Sequence, residues 1–238
     1  MKIIITVFSA ALVLLAATTS CEILEGGGGG GSKNAVDLGL SVKWATCNLG
    51  ASSPEQSGDF YAWGETTPKT KFGSMEGYKW SYAEKSSYGD EILLYSKYNS
   101  KSNLGKVDNK TKLDPDDDAA RAKLGGKWRM PTKQEFQELI DNCEMSWTTQ
   151  GGVNGMEFKS KINGNSIFLP APGLYAPKGS INPSGSDLSE AGKSGYYWSS
   201  ELAGSSTSMV AALRIQSNYH NLLNADRTQG CSIRPVSD

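Results

Sequence analysis

Residues 128–143 read WRMPTKQEFQELIDNC, and this stretch decides the fold class. Thr132 followed three residues later by Glu135 is a capping box, with Pro131 just ahead of the cap. Phe136, Leu139, Ile140 and Cys143 then recur at helical spacing, so the stretch predicts one short helix with a buried face. Cys143 is expected to point inward, as a structural rather than a reactive thiol.

Outward from this helix, the patterning changes to period two. Leu38, Leu40, Val42 and Trp44 alternate over Val36 to Trp44, which predicts a half-buried strand. Asp59 to Glu65 is a second, aromatic, strand-like piece. Thr66 to Asp114 is polar and tyrosine-rich and reads as loop. Glu157 to Ile162 and Asn165 to Leu169 flank Asn163-Gly164, a hairpin signal. Tyr196 to Ser200, Met209 to Ile215 and Cys231 to Val236 are further strand candidates. Many short strands with one or two helices make an α+β domain with long loops. The chain carries no internal repeat.

The N-terminus carries a different signal. Met1-Lys2, an apolar run from Ile3 to Ala17 and small polar Thr18-Thr19-Ser20 form a secretory leader over residues 1–20. Cys21 directly after it matches the lipidated first residue of a bacterial lipoprotein, although Thr18 stands where a lipobox usually has Leu. Residues 21–33 continue with Glu22 and Glu25, then uninterrupted glycine from Gly26 to Gly31, a tether unable to pack a core. The expected location is the outer membrane, lipid-anchored and facing outward, with the periplasmic face as the alternative. Contact with the membrane is expected only through the anchor.

Residues 34–238 are long enough for one domain with a substantial core. Lys and Arg number 24 against 25 Asp and Glu, and a net charge of −1 argues against a nucleic-acid partner. Cys47, Cys143 and Cys231 allow at most one bridge within the domain.

Candidate chemistry is sparse. His220 is the sole histidine, in a polar stretch that reads as an exposed loop, and a Cys231–His220 nucleophile and base lacks an orienting third group. Asp114-Pro115-Asp116-Asp117-Asp118 fails as an EF-hand, with Ala119 at the sixth position and Gly125 at the twelfth. Its acidic residues fit better as caps of a helix running to Ala122. No catalytic residue, metal ligand or cofactor is therefore assigned. Trp63, Trp128 and Trp198 are expected in the core, Trp80 and Trp147 at the surface, and Arg234 beside a carboxylate.

The ordered blocks VDLGLSVKWATCNLGA, DFYAWGE, LDPDDDAARAKLGGKWRMPTKQEFQELIDNC, NGNSIFLPAPG, GYYWSSE and GCSIRPV resemble the Fibrobacter succinogenes major paralogous domain (FISUMP) family, whose relatives are lipoproteins of gut Bacteroidetes. The resemblance spans about Val36 to Val236. It implies a C-type-lectin-like fold related to formylglycine-generating enzymes, in which first and last strands pair. It also implies a disulfide between Cys47 and Cys143. The cysteine motif of the formylglycine-generating enzymes has no counterpart here.

The tail from Tyr197 also resembles proteins diversified by retroelements, with Trp198, Ser199, Leu213, Arg227, Gly230, Ser232 and Arg234 as scaffold. The corresponding variable, ligand-contacting positions are Ser217, Asn218, Tyr219, His220, Asn221, Asn224, Asp226, Thr228, Gln229 and Cys231. The leading expectation is a non-catalytic, lectin-like domain for a surface glycan or protein ligand. The alternative is a structural subunit of an envelope or pilus assembly.

Overall fold

The computed structural model describes residues 34–177 and 186–238. The expected leader, the lipidated Cys21 and the tether lie outside the described residues. Strands β1 (Ala35–Val36) and β2 (Lys43–Ala45) form an antiparallel hairpin. The single strand expected over Val36 to Trp44 is thus broken. Leu38, Val42 and Trp44 are buried as the alternation requires. The break falls at Gly39, whose φ is +72° and whose missing Cβ would stand 2.7 Å from Ile162.

The piece expected over Asp59 to Glu65 makes only an isolated bridge, Tyr61 to Cys231, and bends at Trp63-Gly64, where Glu65 N donates to Ala62 O at 3.1 Å. The stretch read as loop contains a hairpin of β3 (Ser81–Lys85) and β4 (Glu91–Tyr95). Its tyrosines are not all surface residues: Tyr78, Tyr95 and Tyr98 are buried, while Tyr88 is exposed. Each buried hydroxyl or ring finds a partner across the core, which a reading of local polarity misses.

Helix α1 (Ala119–Leu124) starts on Asp118, whose carboxylate accepts from Arg121 N at 3.0 Å. After β5 (Trp128–Arg129) comes α2 (Lys133–Asn142), with both halves of the Thr132–Glu135 capping box formed. Arg129 adds a fork of hydrogen bonds to Glu135 at 2.9 and 2.6 Å. Strand β6 (Cys143–Gln150) follows without a break and turns through Gly151-Gly152 into β7 (Val153–Ser160). Both glycines have positive φ, +57° and +82°, as a two-residue hairpin turn requires. Strand β8 (Ser166–Pro170) pairs with β7 as expected, but Lys159 stands opposite Ser166. The chain turns through residues 161–164, with Gly164 N donating to Ser160 O, instead of through Asn163-Gly164 alone.

The remaining strands are β9 (Leu174–Pro177), β10 (Ser186–Ser189), β11 (Ser194–Leu202), β12 (Met209–Gln216), β13 (Tyr219–Asp226) and β14 (Val236–Ser237). All pairings between these strands are antiparallel, and β14 sits between β2 and β5, closing the end of the chain onto its beginning. The class is α+β, as expected.

Sheet β11-β12-β13 lies between two apolar clusters. Tyr196, Trp198, Val210, Ala212 and Ala225 face one, with Trp63 and Cys231. Tyr197, Leu213 and Ile215 face the other, with Trp44, Phe136, Leu139 and Cys143. Burial on both faces makes β11 nearly continuously buried.

Two arginines are wholly buried. Arg234 donates to Asn48 Oδ1 and to the carbonyls of Ala45, Thr46 and Phe168 at 2.8–3.0 Å. The carboxylate partner expected for it is replaced by these oxygens, and burial pulls its pKa down to about 10. Cys143 is a free buried thiol, so the implied Cys47–Cys143 bridge does not form. The two lie in different clusters: Cys143 packs with Phe136 and Phe158, and Cys47 with Ala51.

Candidate functional site

The expected variable positions fall on β13 and its flanks, and β13 is a strand where an exposed loop was expected. It pairs with β12 from Gln216↔Tyr219 to Met209↔Asp226. Ser217 and Asn218 form the exposed two-residue turn between them. Side chains alternate along a strand, so Tyr219, Asn221, Leu223 and Ala225 share one face. Leu223 and Ala225 pack into the cluster around Trp198. His220, Leu222 and Asn224 share the other face, where Leu222 packs toward Phe136.

The strand therefore divides the set. At the hairpin tip, Ser217, Asn218, Tyr219 and Asn221 stand together, and the Tyr219 ring is 51% exposed. His220 and Asn224 look toward α2, across a cleft of about 400 Å³ whose other wall is Lys133, Gln137 and Ile140. Asp226 caps the next turn, accepting from Thr228 N and Oγ1 at 2.9 and 2.7 Å. Gln229 is half-buried, while Thr228 and Cys231 are buried and cannot meet a ligand.

His220 and Cys231 sit on opposite faces of the sheet, so no nucleophile and base are brought together. Burial alone also pushes the Cys231 thiol well up. The aspartate run is likewise occupied. Asp117 accepts from Lys97, Lys79 and Tyr98 at 2.6, 3.1 and 2.5 Å, and Asp114 pairs with Lys97 and Lys110. Among the described residues no group of three His, Cys, Asp or Glu side chains is placed to hold a metal ion. Trp63, Trp128 and Trp198 are buried as expected. Trp80 and Trp147 are half-buried against the core, where exposure was expected.

The tip recruits two residues not singled out from sequence, Arg214 and Glu190. Arg214 is the registered cross-strand partner of Asn221. Its guanidinium lies over the Tyr196 ring, 5.6 Å from the centroid, and 4.0 Å from Glu190. Tyr196 donates to Glu190 at 2.7 Å. Burial and that carboxylate push the tyrosine up to about 12, and hydrogen bonds from Ser194 and Tyr196 hold Glu190 below the usual carboxylate range.

Arg214 Nε and Asn221 Oδ1 are both buried without a hydrogen-bond partner. One is a donor and the other an acceptor, side by side on paired strands. Only the β12–β13 register brings them together. Ser217-Asn218 carries no strong turn signal, so the sequence alone does not announce this hairpin.

Compared with known proteins, the chain matches no family model, no curated protein and no solved structure.

Proposed function

We propose that this chain is a surface-anchored lipoprotein whose C-type-lectin-like domain binds a glycan, without catalysis, at the β12–β13 hairpin tip. The observation that carries this is the exposed Tyr219 ring at the tip, with Asn221 and its registered partner Arg214 on the same face of the sheet. Ser217 and Asn218 in the exposed turn offer a hydroxyl and an amide that donate to and accept from sugar hydroxyls. The exposed Tyr219 ring on the same face supplies a flat apolar surface for a pyranose. The pairing of β2 with β14 supports the lectin-like reading, because that fold joins the ends of its chain. On this reading Ser217, Asn218, Tyr219 and Asn221 are the positions that a diversifying retroelement would rewrite.

The test is binding of the full-length chain to an array of immobilised glycans. Tyr219→Ala and Asn221→Ala are expected to weaken binding by roughly tenfold each, with unchanged thermal unfolding. A wild-type chain that binds no glycan, or variants that bind as well as wild type, would overturn the proposal.

The second reading, a structural or assembly subunit, is favoured by one observation. The outer edge of β13 is unpaired among the described residues.

A further inference from the structure

The ladder fixes where the free backbone groups of β13 point. Arg227 N donates to Ser208 O at 2.9 Å, one step beyond the Met209↔Asp226 pair. Hydrogen-bonded and open pairs alternate in an antiparallel ladder, so the odd-numbered residues of β13 bond β12. The N–H and C=O groups of His220, Leu222 and Asn224 point outward, as does the N–H of Asp226. The Asp226 carbonyl accepts from Gln229 N at 3.0 Å.

Sheet edges are ordinarily blunted by Lys, Pro, a bulge or a very short strand. Strand β13 has eight residues in unbroken register with β12, and its sequence, YHNLLNAD, has neither Lys nor Pro. Its side chains offer no device that would keep another strand away.

We propose that a second copy of this chain covers the edge, the two β13 strands pairing antiparallel across a two-fold axis at Leu223. The occupant follows from self-complementarity. With the axis at Leu223, Leu222 lies opposite the partner's Asn224 and His220 opposite the partner's Asp226, with both pairs repeated by symmetry. An imidazole then meets a carboxylate at each end of the joined strands. A register shifted by two residues sets His220 against Asn224 and leaves both carboxylates unopposed. Side chains of even-numbered residues share a face, so the partner's enter the cleft beside α2. There Ile140 and Leu222 give apolar surface, and Lys133 and Gln137 a polar rim. The glycan site lies on the opposite face of β13, so either idea can fail alone.

The experiment is Leu223→Cys in the full-length chain, read on non-reducing gels after mild oxidation. On the axis, residue 223 faces itself in an open pair with Cα atoms about 4.5 Å apart, within disulfide reach. A reducible band at twice the chain mass is expected, and far less of it for Asn224→Cys. As a second variant, Asn224→Pro removes an outward N–H without touching the β12 ladder. It is expected to weaken self-association, measured by chemical cross-linking of the otherwise unaltered chain, by roughly tenfold. A folded Leu223→Cys chain that stays single, or Asn224→Pro associating as wild type does, would refute the pairing. A cross-link to a protein of another mass would replace the second copy by a different partner and refute it equally.

Discussion

Arg227 Nε donates to the hydroxyl of Tyr78 at 2.8 Å, joining residues 149 positions apart inside the core. The same guanidinium donates to the carbonyls of Tyr98, Thr207 and Lys97 at 3.0–3.1 Å. Aromatic rings surround it, with the Tyr95 centroid at 4.6 Å, Tyr78 at 5.2 Å and Trp63 at 5.3 Å. The residue that holds the hairpin β3–β4 and the Tyr98 loop against the central sheet is thus a cation with every direction filled.

Arg227→Lys keeps the charge but replaces a planar fork by three donors on a flexible stem, which cannot reach these partners at once. A loss of about 2–4 kcal/mol is expected, because buried carbonyls are left unpaired. For a domain of this size that lowers the melting temperature by roughly 5–12 °C. Scanning calorimetry checks it; a melting temperature within about 2 °C of wild type would contradict the caged-cation account.

Asp117 is buried and holds Lys97, Lys79 and the Tyr98 hydroxyl. Burial pushes its carboxyl up, but the hydrogen bonds from Lys97, Tyr98 and Lys79 outweigh it and bring the net pKa below the ordinary value. A carboxyl whose folded pKa is depressed contributes stability that is intact above its unfolded pKa, near ~3.9. That contribution is lost as pH falls through the folded value. Wild type is therefore expected to lose stability below about pH 4. Asp117→Asn is expected to cost roughly 3 kcal/mol at neutral pH and to show a shallower acid limb. Denaturant unfolding between pH 2.5 and 7, a range set around ~3.9, reads both. Parallel acid limbs in the two proteins would show that other carboxyls control acid unfolding.

Cys143 and Cys231 are free and buried. Burial pushes the Cys143 thiol up to about 11 and Cys231 well up, so thiolate is scarce at neutral pH. Peptide mapping after maleimide treatment is expected to find both unmodified in the native protein and both modified in denaturant. A non-reduced digest is expected to contain no peptide linking Cys47 to Cys143. Native labelling of Cys231 would mean that the core around Trp198 opens far more readily than its burial implies.

The α2 helix was legible because its determinants are local. Thr132 and Glu135 satisfy each other's backbone within one turn, and Phe136 and Leu139 follow on the same face. The β7–β8 hairpin and strands β11 and β12 were legible for the same reason, but that hairpin's four-residue turn and register were not. The Gly151-Gly152 turn carried an equally local signal that went unused. Strand β13 was not legible, because its face alternation is blurred by apolar clusters on both sides of the sheet. Leu222 belongs to one cluster and Leu223 to the other, which erases the period-two pattern.

The sequence alone determined the class of the fold, the one well-capped helix and the inward direction of Cys143. Each of these depends on side chains within a few residues of one another. Only the tertiary structure decided that Cys143 has no bridge to Cys47 and that Arg234 meets carbonyls instead of a carboxylate. It also decided that Thr228 and Cys231 are buried while Arg214 stands in register with Asn221 beside the exposed Tyr219. These outcomes depend on which distant segments share a cluster or a strand register, and a satisfied buried donor can draw its acceptors from anywhere in the chain.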